Sequence, residues 1–383
     1  MPAHLHLDDD WRRRTAAGIA ARAFDETVAL VSISSPSGDR DGAERAVAAA
    51  CEMLPEAAAV ERLECSSPDH APDLLARLEG SGAARILLVG HLDTVVAHER
   101  HRVASVEGNL LHGSGTIDMK GGDALALGLV RALTACAGAF AEVALLLVND
   151  EEFRTAPFVH GPALERFDAC LCFEGGERLA DGTEAVVVKR KAAAAIRVEA
   201  NGVAAHSGAN PDAGRSALLA LAGVARDLAA LHDPSGPDAL TVVPTMMRAG
   251  EAINAVPAGG DLLVDMRADH EDTFTGVIGS VPNDVDGVGL YTERLRLWPG
   301  LDSRAISAAP LARAAELLGR PIAANARGGA SDASNIAPHV PLAIDGLGPL
   351  GGYAHNPDEY LLVDSLLPRA ELALALVAAL LDP

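Results

Sequence analysis

The sequence predicts an α/β protein, in which a main domain carrying a mostly parallel sheet is split by an inserted α+β domain. Three observations lead there. Between residues 85 and 175, short apolar runs alternate with a stretch of helical spacing. From about residue 189 the texture changes to partly exposed, alternating runs around one amphipathic stretch. After Trp298 the first texture resumes. The expected boundaries are 1–188 and 298–383 for the two parts of the main domain, and 189–297 for the insert.

The elements follow in order. TAAGIAARAFDETVAL at 15–30 reads as an amphipathic helix. Its Arg, Asp and Glu rule out an export segment, despite Trp11-Arg12-Arg13-Arg14 ahead of it. ARILLVG is a buried strand, GGDALALGLVRALT a helix, and EVALLLVND and FDACLCFEG two further strands. In parallel sheets ligands gather at the carboxyl ends of strands, and His91, Glu151 and Glu174 all sit just past such ends. In the insert, VVVKRKAAAAIRVEA reads as one partly exposed strand and SGANPDAG as a turn. RSALLALAGVARDLAALH is a long helix, and TVVPTMMRAG, GGDLLVDMRA and GVGLYTERLRLW are strands. SLLPRAELALALVAALL closes the chain as a helix.

Composition excludes several classes. The chain is 49% hydrophobic with only 3% aromatic residues, so alanine-rich helices packed closely on sheets are expected. The net charge is −22, from 31 basic and 53 acidic residues, which repels phosphate backbones and argues against nucleic-acid binding. No run of 18 apolar residues exists, so no membrane span is expected. Cysteines 51, 65, 136, 170 and 172 make an odd set without a C-x-x-C. They read as buried thiols in a reducing compartment, and a cytoplasmic protein is the simplest assignment. Cys170 and Cys172 would share one strand face and pack in the core.

The chemistry-bearing pieces are GHLDTV at 90–95, GSGTIDMKGG at 113–122, NDEEF at 149–153 and GGYAHNPDEY at 351–360. They offer His91, Asp93, Asp118, Glu151, Glu152 and His355, and the end of FDACLCFEG adds Glu174. Nitrogen and oxygen donors without a thiolate suit a catalytic divalent metal such as zinc. Glu177 competes with Glu174, and His339 with His355, for the same roles. Three other motifs fail. His98-Glu99-Arg100-His101 is one residue short of H-E-x-x-H. GSGTID lacks both the third glycine of a dinucleotide loop and the Lys-Ser/Thr of a P-loop. Ser114 and Ser331 have no histidine in a triad-like context.

Together with CFEGGE, GVAAHSG, AINAVP, VDMRA and GGASDAS, in that order, these pieces resemble the M20 family of metallopeptidases and amidohydrolases from about residue 25 onward. The resemblance implies a zinc-exopeptidase-like catalytic domain with an inserted α+β lid and dimerisation domain. It implies two divalent metal ions, zinc first, with cobalt or manganese as alternatives. His91 and Glu174 would hold one ion, Glu152 and His355 the other, and Asp118 would bridge them. Asp93 would orient His91, and Glu151 would be the general base. A cis peptide between Asp118 and Met119 is also implied. In the insert, His206 would reach the active site of the partner subunit in a homodimer and help stabilise the tetrahedral intermediate. Arg267 would pair with a substrate carboxylate, and Asn254 would touch substrate or form a turn.

The implied reaction is hydrolysis of an amide or peptide bond beside a free carboxylate, in the manner of a glutamate carboxypeptidase. An N-acyl-amino-acid deacylase of the acetylornithine deacetylase or succinyl-diaminopimelate desuccinylase type is the alternative. Either takes a small substrate, an N-acyl amino acid or short peptide. A non-catalytic binding protein of the same fold would have lost the base or a metal ligand, and no such loss is visible. The sequence departs from the family pattern at Phe153-Arg154-Thr155, where relatives often carry Gly-Ser, a change expected to reshape the pocket wall. It also lacks an asparagine between Thr241 and Ala249, and carries Ala192 where Gly is usual.

Overall fold

A computed structural model describes residues 7–382. Two compact units emerge. One runs to Lys189 and resumes over Leu301–Ala326 and from Ser331; the other comprises Arg190–Gly300 and Arg327–Ala330.

The first unit is built on a six-stranded sheet in the order Ala59–Leu63, Asp73–Glu79, Glu142–Val148, Arg85–His91, Ala169–Cys172, Leu342–Ile344. From Glu142–Val148 onward the neighbours run parallel, while the first two strands pair antiparallel. The continuous apolar runs follow from covering both faces. Ile86, Leu88, Leu145 and Leu147 enter one core with the helices Asp9–Val31, Gly121–Leu133 and Leu366–Leu381. Leu87, Val89, Leu146 and Val148 enter the other, with Cys170, Cys172 and the short helix Asp332–Ile336. All five cysteines are free. Trp11 to Arg14 lie inside the first helix, whose start is capped by Asp8 accepting the Trp11 N–H at 2.7 Å.

One element differs from expectation. The run 186–200 is two strands and not one. Glu184–Arg190 pairs with Leu301–Asp302 and Ile322–Arg327, and is buried almost throughout. Ala192–Asn201 belongs to the second unit. The break falls at Lys191, whose Nζ turns aside to donate to the Ala239 carbonyl at 2.6 Å. Apolar alternation continues across that residue, so the pattern alone carries no mark of the change of sheet.

The second unit is a five-stranded antiparallel sheet in the order Thr241–Ala249, Gly259–Ala268, Ala192–Asn201, Val288–Trp298, Asp284–Val285. Ala194, Ile196 and Val198 alternate onto one face with Leu262 and Val264. That face is covered by the helix Ala217–Ala229, whose first turn is capped by Ser216. The opposite face leaves Val243 and Leu295 exposed.

Two glycines let the first unit close around its strand ends. A methyl group on Gly122 would overlap the Phe173 carbonyl, so the helix Gly121–Leu133 approaches that strand end only through glycine. A methyl group on Gly90 would overlap the Asp123 carboxylate. Both oxygens of Asp123 are buried without a hydrogen-bond partner among the described residues, and burial pushes its carboxyl well up.

Asp73 anchors the loop after Val148. It accepts the Asn149 N–H at 2.8 Å and contacts His160 Nε2 at 2.7 Å, entirely out of solvent. Burial pushes the Asp73 carboxyl up to about 6, against the opposing hydrogen bond from His160. The native state therefore binds this proton more tightly than the unfolded chain does. Its stabilising contribution is complete below about pH 4 and is lost as pH rises through about 6. Asp73→Asn removes the titration, so its Tm relative to the wild type should rise between about pH 4 and pH 7, by an amount worth at most about 3 kcal/mol. Thermal melts of both proteins across that range check this, and a constant offset would refute it.

Candidate metal centre

His91 ends its strand opposite Val148 of the parallel neighbour, so the loops after both strands leave from one edge of the sheet. Asp93 ties them together. Its carboxylate accepts the N–H groups of Glu151 and Glu152, one on each oxygen, both at 3.1 Å. His91 Nδ1 lies 3.0 Å from the Asp93 carbonyl and 3.5 Å from its carboxylate. The closer partner of that nitrogen is thus the main chain of Asp93. With Nδ1 turned to the main chain, Nε2 is the ring nitrogen left to face the loops beyond.

That nitrogen points at acids. Nε2 lies 3.1 Å from Asp118 Oδ1 and 3.8 Å from Glu174 Oε1. The other oxygen of Asp118 faces a second set: His355 Nε2 is 3.0 Å from Asp118 Oδ2 and 3.1 Å from Glu152 Oε2. Two triads result, His91–Asp118–Glu174 and Asp118–Glu152–His355, each with its donor atoms within 4.8 Å of one another. Asp118 belongs to both. It sits in the turn Thr116–Lys120 and is followed by a cis peptide to Met119. His355 holds a left-handed backbone, φ 65°, uncommon outside glycine and often found at functional sites.

The electrostatics fit a cation. Burial opposes the charge on Asp118, yet hydrogen bonds with His355 and His91 hold its carboxyl well below the usual range. Contacts with Asp118 and Glu152 push His355 up to about 11. Burial drives Glu151 and Glu152 upward, and nearby carboxylates add to it. Glu152 Oε1 is buried with no hydrogen-bond partner among the described residues. Acids crowded around two imidazoles, oxygen and nitrogen donors only, and an orphaned carboxylate oxygen are what a divalent ion would satisfy. The competing residues lie elsewhere. Glu177 accepts from Asn325 at 2.6 Å, and His339 lies 3.7 Å from Glu165.

The residues named in the insert lie in the second unit. His206 is exposed, and its Nδ1 accepts the N–H groups of Gly208 and Ala209, both at 3.1 Å. Its neutral form therefore carries the proton on Nε2. Asn254 is exposed in the turn beside it, and its carbonyl accepts the Ser207 N–H at 3.0 Å. Arg267 forks onto Asp265, through Nε at 3.0 Å and Nη2 at 3.2 Å.

Two features were not legible as parts of the site. Glu359, the glutamate of GGYAHNPDEY, is 2% exposed and accepts three backbone N–H groups, from Gly115, Ile117 and Asp118, at 2.9–3.1 Å. It thereby fixes the loop that presents Asp118. Arg154 turns inward beneath its loop, with a side chain 4% exposed, while Phe153 beside it is 69% exposed. Neither partner set could be inferred from local pattern.

Comparison with known proteins agrees with this geometry. The family model described as peptidase family M20/M25/M40 matches residues 87–379. Carboxypeptidase G2 of Pseudomonas sp. (strain RS-16) is 27% identical over 260 residues, 64% of this chain and 59% of that protein. A succinyl-diaminopimelate desuccinylase of Acidiphilium cryptum (strain JF-5) is 29% identical over 373 residues, 90% of this chain and 94% of that protein. The crystal structure of aminopeptidase PepT from Bacillus cereus ATCC 10987 shares the fold, with TM-score 0.74 at 19% identity, over 94% of this chain and 98% of that one. With a family model covering most of its length, the chain belongs to peptidase family M20/M25/M40, and so to the metal-dependent hydrolases of peptide and amide bonds.

Proposed function

We propose that this enzyme is a dinuclear, zinc-dependent hydrolase that cleaves an amide bond adjacent to a free carboxylate. The observation that carries the reading is Asp118, whose two oxygens each face a separate histidine–carboxylate set. His91 and Glu174 would hold one ion, Glu152 and His355 the other, with Asp118 between them. The ions, when bound, supply positive charge to the scissile carbonyl and the attacking water.

The remaining steps belong to side chains. Glu151, half-buried beside the cluster, would accept a proton from the attacking water at its carboxylate and deliver it to the leaving amine. Asp93 holds the backbone of that loop and the ring of His91. In a homodimer, His206 would present its Nε2–H to the developing oxyanion in the site of the partner subunit. Arg267 would receive the substrate carboxylate, its plane already set by Asp265, and Asn254 would line the same approach. The dimer would form through the second unit, whose exposed Val243, Met246 and Leu295 suit burial against a second copy. We assign the enzyme to the cytoplasm, where its five free cysteines would stay reduced.

Two substrate readings share this chemistry. A carboxypeptidase would release a C-terminal amino acid, possessing the free carboxylate, from a peptide or conjugate. A deacylase would remove an acyl group from an amino acid, and the desuccinylase likeness over 90% of the chain favours it equally.

Metal analysis of the purified enzyme should find two equivalents of a divalent ion per chain, and Asp118→Ala should lose both. Retention of a full complement in that variant would remove the bridge. Glu151→Ala should lower kcat by about a thousandfold while keeping its metal. Peptides and N-acyl amino acids with amidated C-termini should lose about 10–100-fold in kcat/KM against the free acids. Indifference to amidation would argue against Arg267 as the clamp.

A further inference from the structure

The loop carrying Glu151 and Glu152 is held from below by one guanidinium. Arg154 is 4% exposed and lies between two buried carboxylates, Asp150 at 0% and Asp332 at 3%. Its Nε and Nη2 donate to Asp150 Oδ1 at 3.0 and 2.7 Å. Its Nη1 and Nη2 donate to Asp332 Oδ1 and Oδ2 at 2.6 and 3.2 Å. Both acids are fixed in turn. Asp150 Oδ2 accepts from the N–H and hydroxyl of Ser67, and Asp332 Oδ1 from Asn335 Nδ2. The guanidinium also lies 5.1 Å from the centre of the Phe158 ring.

We propose that Arg154 is a positioning residue for catalysis, a clamp that joins the Glu151–Glu152 loop to the helix Asp332–Ile336 and so sets where the base carboxylate stands. This rests on the reading of Glu151 as the base. Asp93 grips the loop through the N–H groups of Glu151 and Glu152, and Arg154, two residues after Glu152, ties it to Asp332. Glu151 is thus caught between two fixed points belonging to different strand-end segments. The planar fork is needed, because it meets two carboxylates in different directions at once; a lysine ammonium is a single point of charge. Burial disfavours the Arg154 charge, and Asp332 and Asp150 more than offset that. The clamp is far more than a surface ion pair.

The test uses the metal-loaded enzyme and compares Arg154→Lys and Arg154→Ala with the wild type. Both variants should lose about 10–100-fold in kcat, with KM within about threefold and two metal equivalents retained. Added guanidinium, at tens of millimolar, should restore part of the kcat of Arg154→Ala and leave Arg154→Lys unchanged. Should Arg154→Ala not fold, Arg154→Lys carries the test through its kcat against KM. Metal lost in step with kcat, or kcat within twofold of the wild type in Arg154→Lys, overturns the clamp. Glu151→Ala in parallel separates the failures. An inactive Glu151→Ala beside an unaffected Arg154→Lys refutes the clamp alone. An active Glu151→Ala refutes the assignment of the base, and the clamp with it.

Discussion

The hydrogen bonds from Glu151 and Glu152 to the Asp93 carboxylate are the constraint on which the site depends. Parallel strands leave their neighbouring ends side by side, but nothing in strand pairing fixes the loops beyond them. Asp93 does so with one side chain, accepting two main-chain N–H groups while its own carbonyl receives His91. An imidazole from one strand and two carboxylates from the next are thereby locked at a common edge. The continuous apolar runs of those strands bury both faces, so two cores hold the strands from either side.

Much of this was readable because it is local. Strands rich in Leu and Val, ended by polar residues, announce both the sheet and the edge where ligands gather. His91, Glu152 and Glu174 follow those ends, whereas Asp118 and His355 sit in loops that the family resemblance singled out, and the fold gathers the five into two overlapping triads. What could not be read depends on distant partners. Glu359 reaches N–H groups more than 240 residues away in sequence, and Arg154 reaches Asp332 across 178. Neither carries a local period or spacing. The break at Lys191 escaped for the opposite reason: the pattern on each side of it is alike, although the strands join different sheets.

Charge explains why the acids tolerate such crowding. A chain of net charge −22 gains nothing by gathering carboxylates unless positive charge gathers with them. Within the first unit this compensation takes two forms. Asp150 and Asp332 are answered by a resident guanidinium and need nothing further. Asp118, Glu152 and Glu174 gather around two imidazoles, and burial pushes Glu151 and Glu152 toward their protonated forms. The first arrangement is self-contained and the second is open, which distinguishes a structural network from a ligand site built of the same residue types.

The contact between Gly90 and Asp123 has a consequence for how this sequence can change. The Asp123 carboxylate occupies the space where a side chain at position 90 would stand, although neither of its oxygens finds a partner there. A side chain at position 90 therefore requires the Asp123 carboxylate to move for as long as aspartate fills position 123. If a small apolar residue came first at 123, alanine at 90 would become acceptable; the reverse order passes through a clash one residue before His91. The two sites form an epistatic pair, and the order of the two changes decides whether the Asp123 side chain must first be displaced.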